Sequence, residues 1–220
     1  MSQKVKIRMV ITFVSFIMIL SGCFNSNGTI DKIYDVLEGV VSVEKSFESQ
    51  QEPLMELEKK EQALYNQIIE LGMKNYDQIN NLADEALKIV NERQTHMDNE
   101  TESLQKSKQK FTKMKTLKND LDDPNEQKLA DDLYNIMQKR YAAHDVLYRE
   151  YSNGLNFDKE LYLMFKKKDT PLETLEAQVN KVNLTYDKIL KANEDFNKYT
   201  NEYNSKKLAL YKKAGLKIKN

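Results

Sequence analysis

"LEAQVNKVNLTYDKILKANEDFNKYTNEYNSKKLAL", residues 175 to 210, decides the fold. Leu175, Val179, Val182, Tyr186, Ile189, Asn193, Phe196, Thr200, Tyr203, Lys207 and Leu210 recur in alternating steps of four and three. A mean step of about 3.5 residues, held over 36 residues, marks α-helices packed with a left-handed supercoil. Leu57, Glu61, Leu64, Ile68 and Leu71 keep the same rhythm, as do Leu129, Leu133, Ile136, Arg140, Ala143 and Leu147. Ile79, Leu82, Ala86 and Ile89 open a fourth stripe. No amphipathic helix hides such a stripe alone, so the four are expected to close on one another.

The chain is punctuated at few places. In "DDPNE", residues 122 to 126, Asp123 is placed as N-cap, Pro124 as the first helical residue and Glu126 as the third. "DTPLE", residues 169 to 173, repeats the device with Thr170, Pro171 and Glu173. Gly72 to Asn75 is a weaker break, with Gly suited to a helix C-terminus. The resulting segments, 30–71, 76–121, 124–168 and 171–211, hold about 40 residues each, or about 60 Å as helix. Short connections favour antiparallel neighbours. The expected fold is all-α: an elongated antiparallel up-and-down four-helix bundle with left-handed coiled-coil-like packing over 30–211, then a basic tail over 212–220. Residues 91–110 hold only Met97 and Leu104 as apolar side chains, so helix two is expected to be poorly buried there or to meet water across a thin core. Pro53 and Ser152-Asn153-Gly154 should kink or break their helices, and a full break at Pro53 would make five helices of four.

Composition agrees with helices. Charged residues make up 31%, Trp is absent, and there are six Gly and three Pro. Thirty-four basic and 34 acidic side chains cancel, which leaves no global attraction to nucleic acid. The single cysteine excludes an intrachain disulfide framework and a cysteine-based zinc site.

That cysteine follows an apolar run. Lys4, Lys6 and Arg8 precede the uncharged stretch "MVITFVSFIMIL", residues 9 to 20. Twelve residues span about 18 Å of helix, short of the ~30 Å hydrocarbon core, so 1–22 reads as a secretory signal rather than a membrane span. "LSGC", Leu20-Ser21-Gly22-Cys23, resembles the lipobox of bacterial lipoproteins. The resemblance implies recognition of Leu20, Ser21 and Gly22 by the signal peptidase and cleavage before Cys23. It also implies S-diacylglycerol and N-palmitoyl groups on that cysteine, at the head of a tether over 23–29. Two chains matter, because burial at ~0.8 kcal/mol per CH₂ makes one chain reversible and two durable. Loss of the leader removes three basic residues and no acid, which gives the mature chain a formal charge of −3.

No enzymatic constellation emerges. A di-metal bundle needs two Glu-x-x-His motifs, whereas Glu92 precedes His96 by four residues and Tyr141 stands three before His144. Both histidines are expected to be solvated or structural, and no catalytic, cofactor-binding or metal-ligating residue is assigned. Tyr141, Tyr148 and Tyr151 either stack on sugar faces or fill half-buried seam positions with their hydroxyls in water. Asn193, Thr200 and Lys207, seven apart, either line a polar slot or fix register, the latter preferred. Residues 206–220 carry six Lys and no acid: Lys206, Lys207, Lys212, Lys213, Lys217 and Lys219. They are candidates for contact with an anionic surface, since an even number of antiparallel helices returns the C-terminus to the lipid end.

The lipobox, then "LEKKEQALYNQIIELG", "KRYAAHDVLYREY" and "KELYLMF", in that order, resemble the YkyA-like cell-wall-binding lipoproteins of Gram-positive bacteria. That resemblance implies a helical bundle on the extracytoplasmic face of the cell membrane, non-enzymatic, which binds or scaffolds envelope material. Cell-wall polymer or another envelope protein is the expected partner, beside the bilayer itself. The rival expectation is an accessory subunit of a membrane transporter or sensor complex.

Overall fold

The computed structural model describes residues 28–72 and 75–216. The leader, the lipobox with Cys23, most of the tether, and Lys217 and Lys219 lie outside the described residues. Four long helices and one short helix follow in order: α1 (Thr29–Leu71), α2 (Tyr76–Phe111), α3 (Met114–Leu117), α4 (Pro124–Phe165) and α5 (Leu172–Lys213). They form an up-and-down helical bundle with no strand among the described residues. None of these helices is long and apolar enough to cross a membrane.

All eleven positions of the stripe in 175–210 are buried, the polar Asn193, Thr200 and Lys207 included. The thin stretch of α2 is the main departure from expectation. Ile79, Ala83, Ala86, Val90, Arg93, Met97, Glu100, Leu104, Ser107 and Phe111 are all buried, in unbroken steps of four and three. The seam does not lapse between 91 and 110; arginine, glutamate and serine occupy it. Polar side chains can hold such positions only when their hydrogen bonds are met inside the protein, which the buried groups described below largely do.

Pro53 sits inside a continuous α1, so four long helices remain four. Proline has no amide hydrogen to offer the carbonyl of Ser49 four residues back, and Ser49 is exposed, where such a substitution is tolerated most easily. Residues 152–154 likewise do not interrupt α4. A Cβ at Gly154 would stand 2.8 Å from Cδ1 of Ile189 on α5, so the glycine marks a close approach of two helices. Gly154→Ala should therefore cost about 1 kcal/mol through overpacking. In an Ile189→Val background, which removes Cδ1, the same change should instead stabilise by up to about 1 kcal/mol, the ordinary helix preference of Ala over Gly. Urea unfolding of the four-member cycle reads that reversal.

The helix ends follow local chemistry. Asp123 accepts the amide of Asn125 at 2.7 Å and starts α4 at Pro124, as expected. Thr170 departs from its expected role: its hydroxyl donates to the carbonyls of Met164 and Lys167 and closes the end of α4 rather than capping α5. Gly72, with φ of 54°, ends α1. Gly215, with φ of 68°, ends α5, the amide of Leu216 reaching the carbonyl of Tyr211 at 3.0 Å and that of Gly215 reaching Lys212 at 3.2 Å. The helix therefore runs through 212 and 213, where a tail was expected. The second segment is shorter than 76–121 because α2 stops at Phe111, where the Thr112 hydroxyl bonds the carbonyl of Lys108.

Residues group into two compact units. One comprises Gln50–Asp98 and Val146–Asn193, and contains the α1–α2 and α4–α5 turns. The other comprises 28–49, Asn99–Asp145 and 194–216, with an apolar core that includes Ile33, Leu37, Phe111, Met114, Leu133 and Leu210.

Candidate functional site

Each unit encloses a buried arginine. In the first, Arg93 is 2% exposed and faces three carboxylates: Glu61, Glu58 at 3.5 Å and Asp158 at 3.7 Å. Two tyrosines complete the cage. Tyr151 accepts from Arg93 at 2.8 Å and donates to Glu58 at 2.7 Å. Tyr186 accepts from Arg93 at 3.0 Å and donates to Asp158 at 2.7 Å. Burial works against the charge on Arg93, but the tyrosines and glutamates around it outweigh that and push its pKa well up. Burial, reinforced by Glu61, raises the Asp158 carboxyl well above the ordinary carboxylate range, and burial also raises Glu58. The cation at the centre of these carboxylates is a side chain, and no group of three or more His, Cys, Asp or Glu suited to a metal ion exists among the described residues.

In the second unit Arg140 holds Glu44 through both terminal nitrogens, at 2.8 and 2.9 Å, and donates through Nε to the Thr200 hydroxyl at 3.0 Å. Its guanidinium lies 5.0 Å over the ring of Phe196. Ser107 donates to Glu44 and contacts the Tyr141 hydroxyl at 2.7 Å. His144 is 1% exposed between the edges of Phe47 and Phe196, and its Nε2 has no hydrogen-bond partner. Burial, then Arg140, lowers its pKa to about 3. It is a neutral core residue. His96, half-buried, meets Gln50 at 2.7 Å.

Tyr141 and Tyr151 are fully buried, which removes their faces from any sugar, whereas Tyr148 is half-buried and donates to Asp98. Two polar residues of the α5 seam have separate partners: Thr200 serves Arg140, and Lys207 stands 3.8 Å from Glu38.

The basic run at 206–219 is only partly a surface. Lys207 is 7% exposed, its pKa lowered by burial, so it does not belong to an exposed basic face. Its seam position dictates that outcome. Lys206 pairs with Asp132 at 2.7 Å and Lys213 with the N-cap Asp123 at 2.9 Å, while Lys212 is exposed. A second basic run lies at 106–118, with Lys106, Lys108, Lys110, Lys113, Lys115 and Lys118 and no acid. Sequence reading passes over it because helix C-termini ordinarily collect lysines. In the second unit, Lys110 and Lys113 meet Lys32, Asp35 and Gly39 of α1 and Thr116 of α3 around an open cleft of about 490 Å³.

An all-α bundle with ion pairs and tyrosines inside its seams defines the class of fold, and the comparisons define the class of protein, a helical-bundle lipoprotein family. Residues 28–213 match the family model YkyA, described as "Putative cell-wall binding lipoprotein", and the chain belongs to this family. A relative from Bacillus subtilis (strain 168), "Uncharacterized lipoprotein YkyA", is 36% identical over 207 residues, 94% of this chain and 92% of that one. A crystal structure of a conserved protein of unknown function from Staphylococcus aureus superposes with a TM-score of 0.73 at 15% identity, covering 85% of this chain and 97% of that one. That likeness concerns the fold.

Proposed function

We propose that this chain is a lipid-anchored protein of the extracytoplasmic membrane face that binds or scaffolds cell-wall material without catalysis. The observation that carries the reading is the order of two features: "LSGC" at 20–23, directly ahead of a domain matched over 28–213 by a lipoprotein family. Cys23 takes the diacylglyceryl group as a thioether and the N-acyl group after cleavage behind Gly22. Residues 24–28 then separate lipid from helix by at most about 18 Å. Of the basic C-terminal residues, Lys212, Lys217 and Lys219 remain to face an anionic surface, since Lys206, Lys207 and Lys213 already meet carboxylates.

Mass analysis of the N-terminal peptide from native membranes tests the anchor. The expected product begins at Cys23 with both acyl groups, and Cys23→Ser should retain the leader and gain no lipid. A bare Cys23 in native material ends the proposal. Binding is tested by pull-down of residues 24–220 on purified cell wall, with retention expected and abolished by prior wall digestion.

A further inference from the structure

We infer that the cleft among α1, α3 and the end of α2 is a binding site for a phosphate-bearing anion of the glycerol phosphodiester class. Convergence leads there rather than the want of a carboxylate alone: Lys45, Lys108, Lys115, Lys128 and Lys139 of the same unit also form no ion pair among the described residues, but none of them lines the cleft. Lys106, Lys118, Lys206, Lys207 and Lys213 each stand within ion-pairing distance of a carboxylate. Lys32, Lys110 and Lys113 converge on the cleft, are all exposed, and form no ion pair among the described residues. Asp35, in the same cleft, offsets one of three positive charges and leaves a local excess of two. Like charges gathered this closely repel one another, and an anion between them removes that cost.

The cleft's shape narrows the ligand. Gly39 presents no side chain, and Lys110 lies along that bare surface, its Nζ 3.9 Å from where a Cβ would stand. Val36 and Leu117 supply apolar wall and Thr116 a hydroxyl. A volume near 490 Å³ falls within the range of about 300–1,000 Å³ typical of small-molecule sites, more than a lone ion needs. Ammonium groups bind phosphate as point charges, the hydroxyl reads an oxygen, and the apolar wall accepts the carbon body of a polyol. Two sources share that chemistry: a phosphatidylglycerol headgroup, and a wall-linked glycerol phosphate polymer. Only the choice between sources rests on the envelope reading proposed above; the cleft's preference for phosphate does not.

The test uses the mature chain from residue 23 carrying Cys23→Ser, so that acylation contributes nothing. Calorimetric titration with a short glycerol phosphate oligomer is compared with flotation on vesicles of phosphatidylcholine alone and with 30% phosphatidylglycerol. Binding to at least one phosphate probe is expected, weakening as salt rises. The variant Lys32→Gln/Lys110→Gln/Lys113→Gln should bind about tenfold or more weakly, while Lys106→Gln/Lys139→Gln, two exposed lysines away from the cleft, should bind like the parent. Binding to the oligomer identifies a wall source, and binding to the phosphatidylglycerol vesicles alone identifies a lipid source. Absence of binding to both, or equal affinity of parent and cleft variant, overturns the site even if Cys23 is acylated and the chain retained on wall. All three substituted lysines are exposed, so the variant is expected to fold, and circular dichroism checks that it does.

Discussion

Arg93→Met is expected to destabilise the protein by about 3–5 kcal/mol, a large part of the ~5–15 kcal/mol that ordinarily holds a domain folded. The loss comes less from the missing attraction than from what remains. Glu58, Glu61 and Asp158 would share a water-excluded interior with no cation, and Tyr151 and Tyr186 would lose the donor they accept from. Combining Arg93→Met with Glu58→Gln, Glu61→Gln and Asp158→Asn should recover much of that loss, because a neutral interior of similar volume needs no counter-ion. Urea unfolding at pH 7 measures both. An Arg93→Met midpoint equal to the parent's would mean that the guanidinium does not neutralise these carboxylates in solution.

The second large effect is in pH. The imidazole of His144 is held at about 3 in the fold against an ordinary value of about 6.5. Between those values the unfolded chain binds a proton that the folded chain refuses, so stability rises with pH in that window and is lost as pH falls below about 6.5. At pH 5 the linkage amounts to about 2 kcal/mol. His144→Phe keeps an aromatic edge against Phe47 and Phe196 and removes the titration. Its stability should therefore fall between pH 7 and pH 5 by about 2 kcal/mol less than the parent's. An unchanged acid loss would show that His144 carries a proton in the fold, with Glu100 at 3.9 Å as its counter-ion. Glu58 and Asp158 act in the opposite sense, since their raised values favour the fold at low pH and that gain is lost as pH rises toward them.

Helix count and period were legible because α5 advertises them with large apolar residues on both sides of every polar seam position. Lys207 and Thr200 could be placed in the seam by counting from their neighbours. Arg93, Glu100 and Ser107 are obscured in the sequence because apolar content alone does not mark burial where polar side chains hold seam positions. Yet Met97 and Leu104 stand seven apart, and steps of four and three from them land on all three. Thr170 was misread because a hydroxyl can both donate and accept, and only the backbone path decides which helix end it serves. The basic cleft was beyond sequence reach for another reason. Lys32 and Lys110 are far apart along the chain, and their meeting depends on how α1 and the end of α2 are rotated about their axes.

A ladder of leucines with a seven-residue repeat fits its neighbours nearly as well after slipping one rung, about 10 Å along the axis. A guanidinium that must find its own carboxylates and hydroxyls does not. Arg93 and Arg140 therefore act as detents, one inside each unit, against shear of one helix along another. Under a pull along the helix axes, such detents would let the helices bear load along their length without creeping.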